Sequence, residues 1–241
     1  MTNIPLYRYT IASDYRFDSI PKGKITVNTI NAYSWVMADK DETFHQSLVK
    51  SDYLLPDGIA VVWAARFLSG KRISKIAGAD LHQMVLETLN RDGGSCFYLG
   101  ASEETLLRIV KRLSVDYPNI KVETYSPPYK PVFSDEDNRQ MIERINSFAP
   151  DALFVGMTAP KQEKWILQNR ESINAHIISG IGAVFDFYAG TKNRPPRWMI
   201  NMGLEWFGRL LSDPKRLWRR YIIYNNVFIW KILKLKFKGA K

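Results

Sequence analysis

Along the chain, short runs of β-branched and apolar residues alternate with longer stretches whose apolar positions recur every three or four residues. The short runs fall at 25–30, 51–55, 95–99, 120–125, 152–155 and 176–179, and their length and composition predict strands. Between them, 32–50, 59–68, 80–91, 103–117, 135–148 and 161–169 carry the helical period. Gly100 followed by Ala101, Ser102, Glu103 and Glu104 marks one helix start, and Pro131 leading to Ser134, Asp135, Glu136 and Asp137 marks another. Acidic side chains in a first turn meet the positive end of the helix dipole.

Strand and helix in alternation predict an α/β chain, with a Rossmann-like, mostly parallel sheet flanked by helices. After Gly190 the pattern changes. Pro195 and Pro196 block helix continuation, and two helices are predicted beyond them, at 198–211 and 214–236. In the second, Leu217, Tyr221, Tyr224, Phe228, Ile232 and Leu235 share one face. Arg216, Arg219, Arg220, Lys231, Lys234 and Lys238 occupy much of the remainder. The chain therefore divides into a Rossmann-like domain over 1–190 and a helical, basic, aromatic appendage over 191–241.

Charge sharpens that division. The net charge is +10, yet residues 1–190 hold 21 Lys+Arg against 22 Asp+Glu, while 191–241 hold 13 basic side chains against Glu205 and Asp213 alone. Trp198, Trp206, Trp218 and Trp230 lie in the same segment. A near-neutral body with a cationic aromatic extension suggests an anionic partner and excludes a uniformly basic nucleic-acid-coating protein. A cationic amphipathic helix with interfacial aromatics can lie in the headgroup plane of an anionic membrane; the alternative is a solvated helix packed on the body. The single Cys96 rules out a disulfide framework and fits a reducing compartment. Residues 1–18 lack the pattern of a signal peptide, and the uncharged run 221–230 is about half the length needed to span a bilayer.

Candidate chemistry gathers at the strand ends, where open α/β sheets bind ligands. Asp57, in Pro56-Asp57-Gly58-Ile59, follows an apolar strand and precedes a helix; the same position suits an ordinary helix N-cap equally well. Asn28-Thr29-Ile30-Asn31 offers a hydroxyl and amides to the same crevice. In Gly156-Met157-Thr158-Ala159-Pro160-Lys161-Gln162-Glu163, the glycine permits close approach of a ligand to the backbone, and a helix N-terminus with Lys161 favours phosphate. Gly180-Ile181-Gly182-Ala183 leads to Asp186, but it lacks the third glycine of a dinucleotide fingerprint. His45, His82 and His176 are scattered without metal-ligand spacing. Asp39-Lys40-Asp41 and Asp135-Glu136-Asp137 read as solvated or helix-starting charge, so no metal is expected.

Taken in order, these motifs resemble those of the WecG/TagA/CpsF glycosyltransferases. The resemblance rests on Pro56-Asp57-Gly58-Ile59 with Val61-Val62-Trp63-Ala64, Ala77-Gly78-Ala79-Asp80-Leu81, Gly156 to Glu163, and Gly180 to Phe187. It continues through Arg194-Pro195-Pro196-Arg197-Trp198-Met199, Gly203-Leu204-Glu205-Trp206 and Arg209, and it spans about 25–221. It implies an inverting, metal-independent bacterial enzyme without a cofactor. Such an enzyme moves a sugar from a UDP-sugar to a saccharide on a membrane polyprenyl diphosphate, in surface polysaccharide biosynthesis. It also implies that Asp57 is the general base, that Thr29 and Asn31 hold substrate beside it, and that Gln162 and Asp186 line the nucleotide-sugar pocket, to which the strand-end loops would add Gly156 and Gly182.

The family's C-terminal arginines match Arg209, Arg216 and Arg219, which would neutralise the departing diphosphate. Where the family commonly carries arginine before the Ala-Gly-x-Asp-Leu motif, this chain has Lys75, which keeps the charge of a phosphate contact but loses the bidentate fork. Expected partners are thus a UDP-sugar of the N-acetylmannosamine or glucose type, a polyprenyl-diphosphate-linked saccharide, the inner face of the cell membrane and, optionally, further copies of the chain. Truncation after Gly190 is expected to leave a folded body with little activity. The competing reading is a non-catalytic module whose basic tail grips nucleic acid; the body's balanced charge argues against it.

Overall fold

The computed structural model describes residues 2–238, with only the backbone of Lys238; Lys241, counted in the basic tail, lies outside them. Six parallel strands form the central sheet: β3 (Ile25–Ile30), β4 (Tyr53–Pro56), β5 (Ser95–Gly100), β6 (Lys121–Tyr125), β7 (Ala152–Gly156) and β8 (Ile177–Gly180). Their order is β4-β3-β8-β7-β5-β6. Each lies within two residues of the run read from sequence. A two-stranded antiparallel hairpin, β1 (Thr2–Leu6) and β2 (Tyr9–Ser13), was not anticipated. Its Ile4, Leu6, Tyr9 and Ile11 are buried in the same cluster as Trp35 and Leu54.

Two helices expected to be continuous are broken. The 32–50 stretch forms α1 (Ala32–Ala38) and α2 (Glu42–Val49), because the Asp41 carboxylate accepts the Phe44 N–H at 3.0 Å and starts a new helix. Farther on come α3 (Ile59–Ser69), α4 (Gly78–Asp92), α5 (Glu103–Asp116), α6 (Asp135–Phe148), α7 (Lys161–Asn169) and the short α8 (Val184–Tyr188). The 198–211 stretch is divided into α9 (Arg197–Asn201) and α10 (Glu205–Ser212) at Gly203, whose φ of 74° suits glycine. The chain ends with α11 (Pro214–Trp218), a π-helical turn over Arg219–Ile223 and α12 (Tyr224–Lys238).

Alternate residues of each strand reach opposite faces of the sheet. Val27 and Leu55 join α4, α5 and Phe185 of α8 on one side, while Ile30 and Leu54 join α1 and α3 on the other. The chain thus leaves β3 and its neighbour β8 toward opposite faces, and this opens a crevice at their C-terminal ends.

The apolar face of α12 packs against the body. Phe228 and Ile232 are buried against the body, Phe228 with its ring edge-on to Trp35 at 5.5 Å, and Leu235 packs beside them. The expected membrane-facing stripe is therefore a packing surface, and an outward set takes its place: Trp218, Ile222, Ile223, Val227, Trp230 and Phe237 are exposed. Cutting after Gly190 would uncover Trp35, so an intact body is no longer the expected result of that truncation. Phe228→Ala is expected to destabilise the protein by about 3–5 kcal/mol, measurable by denaturant unfolding. Among the described residues, no helix is long and apolar enough to cross a membrane.

Candidate active site

Asp57 sits between β4 and α3. Its backbone N–H is tied to the Ile30 carbonyl at 2.9 Å, which joins the ends of β3 and β4. The N-cap of α3 is Gly58, with no side-chain cap bond, so the Asp57 carboxylate is not spent on capping. It accepts one hydrogen bond, from Asn31 Nδ2 at 3.3 Å. Asn31 is held in turn, because its Oδ1 caps α1 by accepting the Ser34 N–H at 3.0 Å. Burial raises the Asp57 pKa above the usual carboxylate range; Arg209 pulls it down, Glu205 pushes it up, and Asn31 and Arg220 pull it down.

Two cavities meet at this carboxylate. The larger, about 1320 Å³, is the more polar of the two and is lined by Thr29, Asn31, Asp57, Gly156, Gln162, Gly182, Asp186, Arg209, Arg216 and Arg219. The sequence-derived residues are therefore brought together, except Lys75. That lysine lines the smaller cavity and gives its ammonium to Glu205 at 2.7 Å. Arg194 joins Glu205 and Asp80, each at 3.3 Å, so Lys75 belongs to an ion-pair network fastening α10 to the start of α4. Lys75 thus stands beside Asp57 and Arg209 in the smaller cavity with its charge engaged by Glu205.

Several groups in the large cleft are already engaged. Asp186 pairs with Lys192 at 2.9 Å and Arg216 with Asp213 at 2.7 Å, while Arg209 stacks over Phe187 at 5.2 Å. Lys161 lies over the Phe133 ring at 3.5 Å and donates to the Lys130 carbonyl, turned toward the cleft rim. Gly156 lines the cleft and is also required by the core behind it. A Cβ there would come within 2.5 Å of the Phe185 ring, so the missing side chain makes room for the protein's own core.

The Asp-x-Asp strings have structural work. Asp41 caps α2 and pairs with Lys164 at 2.5 Å, and Asp39 binds Arg8 and Lys231. Asp137 accepts Lys130 at 2.9 Å and the Ser134 N–H at 2.8 Å. His45 and His82 are buried against the hydroxyls of Tyr9 and Tyr98, and His176 is exposed.

Sequence reasoning passed over Tyr33, Glu163 and Arg220, which also line the cleft. Arg220 lies 4.8 Å over the Tyr33 ring. Its signal was its place beside Arg219, and the π turn, with its extra residue, alters the face each presents. Glu163 adjoins Gln162, which donates to its Oε1 at 2.9 Å; Gln162 Oε1 and Glu163 Oε2 are buried without a partner among the described residues. Burial is the main cause that pushes the Glu163 carboxyl up to about 7 from 4.5. The folded chain then holds a proton that the unfolded chain releases, so stability falls as pH rises through that interval and stays low above it. Glu163→Gln is expected to exceed the parent by about 3 kcal/mol at about pH 8, with the gap closing at about pH 4. Thermal unfolding at both pH values checks this.

A parallel sheet with a large cleft at its switch point, lined by four arginines and by the Asp57 carboxylate, defines an α/β protein built to bind an anionic ligand beside an acid–base group. A model of the glycosyl transferase WecG/TagA/CpsF family matches residues 8–241. The N-acetylglucosaminyldiphosphoundecaprenol N-acetyl-beta-D-mannosaminyltransferase of Bacillus subtilis (strain 168) is 34% identical over 224 residues, 91% of this chain and 85% of that protein. The enzymes of the same name from Bacillus spizizenii and Staphylococcus aureus (strain MW2) are 30% and 31% identical, covering 91% and 83% of this chain and 82% and 77% of their own. The chain belongs to the WecG/TagA/CpsF family and is a glycosyltransferase.

Proposed function

We propose that this glycosyltransferase moves an N-acetylmannosaminyl group from UDP to N-acetylglucosamine carried on a polyprenyl diphosphate, in the assembly of a bacterial surface polysaccharide. The observation that carries the reading is the place of Asp57, where the arginine-lined cleft and a second, apolar cavity meet. The other carboxylate common to both, Glu205, is neutralised by Lys75 and Arg194. The names of the relatives supply the sugar and the lipid carrier.

In this reading UDP lies in the large cleft. The acceptor hydroxyl enters from the apolar side, and Asp57 takes its proton as the oxygen attacks the anomeric carbon. The bond from that carbon to the UDP oxygen breaks on the opposite face, so the anomeric centre inverts. Charge developing on the UDP diphosphate is met by Arg209, Arg216 and Arg219, which can serve without a metal or cofactor. Thr29, Asn31 and Gln162 orient the sugar. The outward aromatic and basic face around Trp218 and Trp230 would hold the enzyme on the inner membrane surface, where its acceptor resides.

A panel of UDP-sugars with an N-acetylglucosaminyl polyprenyl diphosphate, assayed with and without EDTA, tests this. Transfer from UDP-N-acetylmannosamine is expected to exceed that from UDP-glucose at least tenfold and to survive EDTA. Preference for glucose would overturn the donor assignment, and loss of activity in EDTA would overturn metal independence.

A further inference from the structure

The smaller cavity is a groove of about 350 Å³ between α3 and α12. Its walls are Ile59, Trp63 and Phe67 from one helix and Ile229, Ile232 and Leu233 from the other. Trp63 is 72% exposed and Phe67 40%, an unusual cost in surface apolar area for residues that bind nothing. At one end of the groove stand Asp57, Arg209 and Arg220. At the other, the Lys236 ammonium lies 5.5 Å over the Phe67 ring. Eight residues of helical rise separate Ile59, two residues beyond Asp57, from Phe67, about 12 Å.

The occupant must therefore be anionic at the Asp57 end and apolar for most of the groove's length. A peptide would bring backbone N–H and C=O groups that a wall of hydrocarbon side chains leaves unpaired, at a cost of several kcal/mol in total. A hydrocarbon chain has no such groups. We infer that the groove between α3 and α12 receives the first isoprene units of the acceptor's prenyl chain, with the acceptor's diphosphate held by Arg220 and its sugar lying between that diphosphate and Asp57. The chain leaves for the bilayer beside Lys236, where an ammonium at the headgroup level fits an anionic surface. This rests on the lipid-linked acceptor proposed above. It adds that the enzyme grips the lipid itself, so that the prenyl chain aligns the sugar hydroxyl with Asp57.

The experiment compares KM for two acceptors in the same detergent, N-acetylglucosaminyl diphosphate bearing a long prenyl chain and the same head group bearing only a methyl group. The wild type is expected to favour the prenyl acceptor at least tenfold. Ala60→Phe, which fills the groove floor, and Leu233→Gln, which makes one wall polar at an exposed position, are each expected to reduce that ratio at least fivefold. Trp230→Gln, on the outward face and absent from the groove lining, is expected to weaken adsorption to anionic vesicles and leave the ratio within twofold of wild type. A wild-type ratio near one, or groove variants that keep the wild-type ratio, would overturn the groove assignment while leaving the transferase reading standing. Transfer to neither acceptor, with turnover on a non-lipid saccharide, would instead overturn the lipid-linked acceptor and the groove with it.

Discussion

Asp57→Asn is expected to lower kcat by about 100- to 10,000-fold, the range typical for losing a positioned general base. The replacement keeps shape and leaves α3 uncapped as before, since Gly58 rather than Asp57 occupies the cap. Donor affinity should change little, because the nucleotide's charge is met by the arginines of the cleft. Steady-state kinetics with calorimetric binding of UDP separates the two effects. A variant that turns over within about tenfold of wild type would place the base elsewhere.

Arg209→Ala is the second large effect. Arg209 lines both cavities and, after burial, acts most strongly on the Asp57 carboxyl, holding its pKa below where burial alone would put it. Its removal takes away leaving-group stabilisation, with an expected loss of about 100- to 1,000-fold in kcat. It also lets the Asp57 pKa rise further, so the acid limb of kcat/KM should move to higher pH. Arg209→Lys keeps a charge and should restore part of the rate, but not the fork geometry. An unchanged rate with an unmoved acid limb would separate Arg209 from both the diphosphate and Asp57.

The sheet was legible in sequence because five of its six strands are short, largely buried runs, where composition and length suffice, and the edge strand β6, with Lys121 and Glu123 exposed, still carries the β-branched Val122 and Thr124. The hairpin at Thr2–Ser13 was not, since its alternation is interrupted at the turn by Tyr7 and Arg8 and only the packing against Trp35 gives it a face to bury. Periodicity grouped Leu217, Tyr224, Phe228 and Ile232 correctly on α11 and α12, but a shared apolar face does not say what covers it. Protein covers it here. The strand-end residues Thr29, Asn31, Asp57, Gln162 and Asp186 could be read because a parallel sheet delivers its strand ends to one rim. Lys75 and Arg220 could not be read the same way, because their roles depend on partners about 130 and 190 residues away in the chain, Glu205 and Tyr33.

The central claim is one carboxylate acting in one displacement. NMR of the newly formed glycosidic bond tests it most directly, by comparing the anomeric configuration of the product with that of the UDP-sugar supplied. A base at Asp57 and UDP on the opposite face predict the inverted configuration throughout the reaction. A product that retains the donor's configuration would contradict this, making Asp57 or another side chain a covalent nucleophile instead.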